Sequence, residues 1–197
     1  MGFLLGSFYF LMNYLSLFNY LRFKQSLVMR YFLIGFMGCG KTYWGREWSK
    51  AFDLKHFDLD EEIEKREAKT VNEIFETTGE DAFRLMENKV LKTYMKFDHF
   101  IMSCGGGTPC FFNNMDMMNK KGITIYLKSS VEQLAERLHK EKETRPLIAG
   151  MDDEVLKDFI RKKLDQREIF YSKAMYHLPA NNLSLENFEK IIRRHGK

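Results

Sequence analysis

Residues Gly35 to Thr42 read Gly-Phe-Met-Gly-Cys-Gly-Lys-Thr, a fit to G-x-x-x-x-G-K-[ST], and they constrain the fold more than any other stretch of the chain. Such a loop works only where a strand runs into it and a helix leaves it. Both flanks are present: Tyr31 to Phe36 is a short apolar run, and Trp44, Trp48 and Phe52 recur four apart between Lys41 and Phe52, as one helix face requires. The glycines let backbone N–H groups curl around phosphate oxygens, and the helix N-terminus adds positive potential. Lys41 neutralises the outer phosphates and Thr42 offers a hydroxyl to Mg²⁺, so the loop reads as a nucleoside triphosphate site. The competing reading, a glycine-rich turn with a surface lysine, leaves the matching strand and helix unexplained.

Strand-like and helix-like segments alternate beyond the loop. His56–Leu59, His99–Cys104 and Ile123–Leu127 read as strands, with Tyr176–Leu178 a weak fifth. Asp60–Arg66, Val71–Thr77, Asp81–Met95, Val131–Leu138 and Val155–Leu164 read as helices, and Ser184 is placed to cap a last helix whose Leu185, Phe188, Ile191 and Ile192 face inward. Strands separated by helix-length segments predict an α/β domain, a parallel sheet covered on both faces.

With 197 residues, 45% hydrophobic and 15% aromatic, the chain has material for one ordinary core, which excludes disorder for its bulk. The net charge of +4 is small, and the basic residues are not gathered on one tail, which argues against a nucleic-acid binder. Cys39, Cys104 and Cys110 form no CxxC pair, and an odd count does not suit a disulfide framework, so reduced thiols in the cytoplasm are expected.

The first 28 residues stand apart. Gly2 to Leu21 is uncharged, long enough to span a bilayer, and followed by Arg22, Lys24 and Arg30. A secretory signal would carry its positive charge ahead of the apolar run and a small-residue cleavage site after it, and this segment has neither. Three readings stay open: a translation start placed upstream of Met29, a membrane anchor whose following charges keep the rest in the cytoplasm, or a loosely associated apolar tail. The domain proper is expected over residues 29–197, with membrane contact only through residues 1–28.

Further candidate residues cluster where strands end. Asp58 and Asp60, in Phe57-Asp58-Leu59-Asp60, follow the second strand, the edge where open α/β sheets bind ligands. If the strand continues, both side chains share one face, one serving a metal shell and the other accepting a hydroxyl proton; alternatively Asp60 only caps the next helix. In Gly79-Glu-Asp-Ala-Phe-Arg84-Leu-Met-Glu87, Arg84 and Glu87 share a helix face, either in a site or as an exposed ion pair. Gly105, Gly106 and Gly107 follow the third strand, and three successive glycines signal a close approach to the backbone or a flexible hairpin. Arg145-Pro146-Leu147 lies in a polar stretch, 139–153, suited to a mobile lid that carries a cation to a transferring phosphate. Arg167, in Arg167-Glu-Ile-Phe-Tyr171, ends a helix whose dipole it would also complement.

Taken together, the loop, the Asp-x-Asp, the Gly-Glu-x-x-Phe-Arg, the triple glycine, the Arg-Pro-Leu and the Arg-x-x-x-Tyr resemble the shikimate kinase family in order and spacing, from Met29 to the C-terminus. The resemblance implies a P-loop NTPase-type three-layer sandwich with a five-stranded parallel sheet, a mobile lid and a monomer. It implies ATP and Mg²⁺ as cofactors and phosphorylation of the 3-hydroxyl of shikimate. Gly38, Cys39, Gly40, Lys41, Thr42 and Tyr43 would then hold the nucleotide, with Thr42 and Asp58 on the metal. Asp60 would bind a ring hydroxyl and take its proton, Arg84 and Arg167 would clamp the carboxylate, and Glu87 would orient Arg84. Gly105 to Gly107 would close on the ring, Arg145 would reach the γ-phosphoryl group, and Arg137 would either stack on adenine or lie solvated on its helix. Two rivals remain at this point: a related kinase acting on gluconate or a nucleotide, and a membrane-tethered ATP-binding module without transfer. Cys39 and Cys104 are expected to be small packed residues, with alkylation of Cys39 crowding the phosphate site.

Overall fold

The structure, a computed structural model, describes residues 29–142 and 146–195. The apolar extension 1–28 and Arg145 lie outside the described residues. The elements follow as β1 (Arg30–Ile34), α1 (Lys41–Ala51), β2 (Lys55–Asp58), α2 (Leu59–Glu67), α3 (Val71–Tyr94), β3 (Phe100–Ser103), a 3₁₀ turn (Thr108–Cys110), α4 (Asn114–Lys121) and β4 (Ile123–Lys128). Then come α5 (Val131–His139), a second 3₁₀ turn (Pro146–Ile148), α6 (Asp153–Tyr171), β5 (Tyr176–Pro179) and α7 (Leu185–His195).

Five strands form one sheet in the order β2-β3-β1-β4-β5, every neighbouring pair parallel. The α/β prediction of a parallel sheet covered on both faces holds. Past Arg30, the central strand β1 is an unbroken, buried apolar run, as a strand covered on both faces requires. Tyr31 and Leu33 face a core with Trp48 and Phe188, whose rings stack at 4.8 Å, while Phe32 and Ile34 face a second core with Leu59, Phe83 and Leu91. From β1 the chain crosses to β2 on one side, and only after β3 does it reach β4 on the other. The crevice at this reversal lies at the carboxyl ends of the strands, where the phosphate loop begins.

Some boundaries differ from expectation for local reasons. The helices expected at Val71–Thr77 and Asp81–Met95 are both present as the two halves of α3, which breaks at Gly79, where φ 80° and ψ 174° leave the helical region. β2 stops at Asp58, so Leu59 and Asp60 are already helical. Helix α4 escaped the periodicity because its sequence, Asn-Met-Asp-Met-Met-Asn-Lys-Lys, buries only Met115 and Met118 among its apolar residues. Helix α6 starts at Asp153 and runs on to Tyr171, past the expected end at Leu164. Among the described residues no helix is long and apolar enough to cross a membrane.

Candidate active site

The phosphate loop turns into α1 at Gly40, whose φ of 96° is left-handed and suits glycine. Lys41 folds back over the loop, its Nζ donating to the carbonyls of Gly35 (2.9 Å) and Phe36 (2.8 Å). Cys39 packs beneath, buried as expected, with its sulfur 3.7 Å from that Nζ. The Thr42 hydroxyl donates to Asp58 Oδ2 at 2.7 Å, bringing two hard oxygen donors to one point. Asp58 also accepts from the Asp60 N–H through Oδ1 (3.1 Å) and thereby caps α2. The capping role considered for Asp60 therefore belongs to Asp58, and the two carboxylates converge through a strand-to-helix turn, not along one strand face. Gly38, Gly40, Lys41, Thr42, the exposed Tyr43 and Asp58 line a cavity of about 280 Å³, closed on its far wall by Asp60, Gly105 and Gly106.

A second cavity, of about 230 Å³, adjoins it and contains Arg84, Glu87, Arg167 and the three glycines, with Phe75 and Phe83 as apolar walls. Arg84 is buried, not part of an exposed pair: its Nη1 donates to Glu87 Oε2 at 2.5 Å, and Glu87 is 1% exposed. Glu87 is fixed from its other oxygen by the Thr108 hydroxyl. The rings of Phe111 and Phe83 lie 4.9 and 5.2 Å from the Arg84 guanidinium carbon. Arg167 lies over Phe36 of the phosphate loop at 5.4 Å.

The triple glycine is a contact surface, not a flexible hairpin. A Cβ on Gly105 would sit 2.8 Å from Glu87 Oε1 and 3.0 Å from Asp60 Oδ1, one on Gly106 would sit 3.1 Å from Arg167 Nη1, and one on Gly107 would sit 2.7 Å from the Arg84 guanidinium. The missing side chains make room for charged groups: Glu87 and Asp60 at Gly105, Arg167 at Gly106 and Arg84 at Gly107. Tyr171 OH donates to the Gly106 carbonyl and pins the segment.

Asp60 lines both cavities. Burial, with the Asp58 and Glu87 carboxylates beside it, pushes its carboxyl up to about 7, against the opposing pull of Lys41 and Arg84. A carboxylate poised there can take a proton near neutrality. Arg137 is held between two carbonyls, Gly38 at 3.3 Å and Ala180 at 3.4 Å, so it is tied to the phosphate loop and not solvated on its helix. Among the described residues no cluster of three acidic, histidine or cysteine side chains could hold a metal by itself. The Thr42 and Asp58 oxygens suit Mg²⁺ nonetheless, since that ion binds through one or two protein oxygens together with substrate phosphates and water.

Phe36, Thr108 and Tyr171 had no assigned role in the sequence, because each acts through a partner distant along the chain. Ser103 was missed in the same way. Its hydroxyl donates to the Lys41 carbonyl at 3.0 Å and meets His56 Nε2 at 3.0 Å, joining α1 to β3 and β2.

A phosphate loop with a hydroxyl-carboxylate pair for a metal, sharing one basic carboxylate with a cavity that holds two arginines, defines a phosphotransferase of the P-loop class acting on a small acid. The shikimate kinase family model matches residues 37–195, and the chain belongs to that family, whose reaction transfers the γ-phosphoryl group of ATP, with Mg²⁺, to shikimate. A shikimate kinase of Parabacteroides distasonis is 46% identical over 158 residues, covering 80% of this chain and 91% of the relative. One from Phocaeicola vulgatus is 46% identical over 154 residues, covering 78% and 88%. Among solved structures, the shikimate kinase of Bacteroides thetaiotaomicron is similar at a TM-score of 0.81 and 35% identity, covering 85% of this chain and 99% of that one. The Acinetobacter baumannii enzyme in complex with shikimate is similar at 0.74 and 28%, covering 85% and 92%. These likenesses set shikimate above gluconate or a nucleotide as acceptor.

Proposed function

We propose that the two cavities bind ATP and shikimate side by side and that Asp60, on their common wall, takes the proton of the attacking hydroxyl. The observation that carries this reading is the membership of Asp60 in both linings. Lys41 and the loop N–H groups hold the phosphates, with Gly38, Cys39, Gly40 and Tyr43 around them, and Arg137 borders the base. Thr42 and Asp58 hold Mg²⁺, which neutralises charge on the phosphates when bound. Arg84 and Arg167 take the shikimate carboxylate, a planar anion that suits two guanidinium groups. Glu87 orients Arg84, and Gly105, Gly106 and Gly107 lie against the ring. The 3-hydroxyl oxygen forms its bond to the γ-phosphorus while the bond from that phosphorus to the β,γ-bridging oxygen breaks, and the hydroxyl proton passes to Asp60, giving shikimate 3-phosphate and ADP. Arg145, on the lid, offsets the charge on the group in transfer.

The enzyme works as a monomer in the cytoplasm in this reading, with membrane contact only through residues 1–28. The test is ADP release by the full chain with ATP and Mg²⁺, with and without shikimate, and with gluconate and nucleoside monophosphates as controls. Stimulation by shikimate alone is expected. ATP binding without stimulation by any acceptor would instead support the tethered binding module.

A further inference from the structure

Glu80 sits outside the acid cavity, on the solvent side of Arg84, and the reading above gives it no role. It is the first residue of α3 after the non-helical Gly79, so it opens a new helical stretch, and Arg84 lies four residues on, across the same face. A single oxygen, Glu80 Oε1, accepts from both Arg84 Nε (3.2 Å) and Nη2 (3.0 Å). Glu87 holds Nη1 from the cavity side. A guanidinium has five N–H donors, and these bonds engage three of them, leaving one on Nη1 and one on Nη2. Phe111 covers one face of the group at 4.9 Å, and the Gly107 backbone lies so close that a Cβ there would meet the guanidinium at 2.7 Å. The group is therefore packed against Phe111 and the Gly107 backbone, and its rotation within the plane is fixed by the two glutamates.

We infer that Glu80 is a positioning residue of the carboxylate clamp: by occupying the Nε edge of Arg84 it dictates that an incoming carboxylate meets only the remaining Nη1 and Nη2 donors. Glu80 and Glu87 both pair with Arg84 and more than offset its charge formally, so general attraction for anions at this guanidinium is small and binding there depends on directed N–H donors. That is how an acid whose ring must sit against Asp60 is selected over anions that merely carry charge. The inference rests on the assignment of Arg84 to the shikimate carboxylate.

Positioning and charge predict opposite signs. Electrostatics alone says that removing a negative group beside an anion site tightens anion binding. Positioning says that Glu80→Ala, by freeing the guanidinium to rotate, weakens it. The experiment compares wild type, Glu80→Ala and Glu80→Gln in the full chain, measuring KM for shikimate, KM for ATP, and inhibition against shikimate by cyclohex-1-ene-1-carboxylate, which has the ring and carboxylate without hydroxyls. Glu80→Ala is expected to raise KM for shikimate and the inhibition constant threefold or more, well beyond any change in KM for ATP. Glu80→Gln, whose amide oxygen can still accept from Nε and Nη2, is expected to restore most of both. Tighter or unaltered binding of both acids in Glu80→Ala would overturn the proposal, as would a Glu80→Gln variant as weak as Glu80→Ala. Shikimate-stimulated ADP release by the wild type, run in parallel, separates this result from a failure of the functional assignment. Glu80 is 58% exposed, so neither substitution disturbs a core, and matching Tm values check this.

Discussion

A methyl group added at Gly107 tests the carboxylate clamp without touching a charge. The backbone there has φ −91° and ψ −19°, which alanine adopts freely, so Gly107→Ala introduces no conformational strain. What it introduces is a Cβ 2.7 Å from Arg84 Cζ and Nη2 and 2.8 Å from Nη1. Ordinary contacts begin near 3.4 Å, so the guanidinium plane must retreat by about 0.7 Å. The retreat disturbs the packing against Phe111 and Phe83 and pulls on the bonds to Glu80 and Glu87. Displacements on the order of 1 Å at a substrate-positioning group cost roughly 10²-fold in rate, about 2.7 kcal/mol of transition-state stabilisation. We expect kcat/KM for shikimate to fall by about 30- to 100-fold, with a much smaller change in KM for ATP, because Gly107 does not line the nucleotide cavity. The assay is coupled ADP release over a matrix of both substrates, with Tm as the folding control. A kcat/KM for shikimate within threefold of wild type would refute the reasoning. Gly79→Ala makes the contrast: open space but a φ of 80°, so its expected loss of about 1 kcal/mol is read as a lower Tm.

The raised pKa of Asp60 makes both rate and stability pH-dependent. Its folded value of about 7 lies above the ordinary 3.8, so kcat/KM for shikimate is expected to rise as the free enzyme is titrated upward through about pH 7. The folded state favours the neutral carboxyl, so the stability it contributes is complete below pH 3.8 and lost as pH rises through about 7. Asp60→Asn should therefore lose most of kcat with ATP binding intact, yet melt at least about 3 °C above wild type at pH 8, and a lower Tm there would contradict the sign. Arg167→Ala should raise KM for shikimate tenfold or more, and unaltered kinetics would remove it from the clamp. Cys39 and Cys104 are 1% and 2% exposed whereas Cys110 is partly exposed, so brief alkylation of the native protein, read by peptide mass spectrometry, should label Cys110 first; prior labelling of Cys39 would contradict the packing.

The sequence alone determined the parts that depend on local chemistry. The Gly35–Thr42 loop needs a strand before it and a helix after it, and alternating apolar periods place the remaining elements except α4, so the α/β order and the parallel sheet were legible. Asp58, Asp60, Arg84 and Arg167 were legible because their motifs keep a fixed order along the chain. Tertiary structure decided what those residues touch. That Arg84 and Glu87 are buried, and not a surface pair, depends on Thr108 and Phe111, brought in from beyond β3. That Asp58 and not Asp60 caps α2 depends on the strand ending one residue earlier than its apolar pattern suggests. The elevated pKa of Asp60 comes from burial, from Asp58 at the end of β2 and from Glu87 on α3, against the pull of Lys41 and Arg84, and its place between two cavities comes from the phosphate loop and the triple-glycine segment. Burial and electrostatic coupling are sums over neighbours in space, and a chain read in one dimension carries no record of which residues those are.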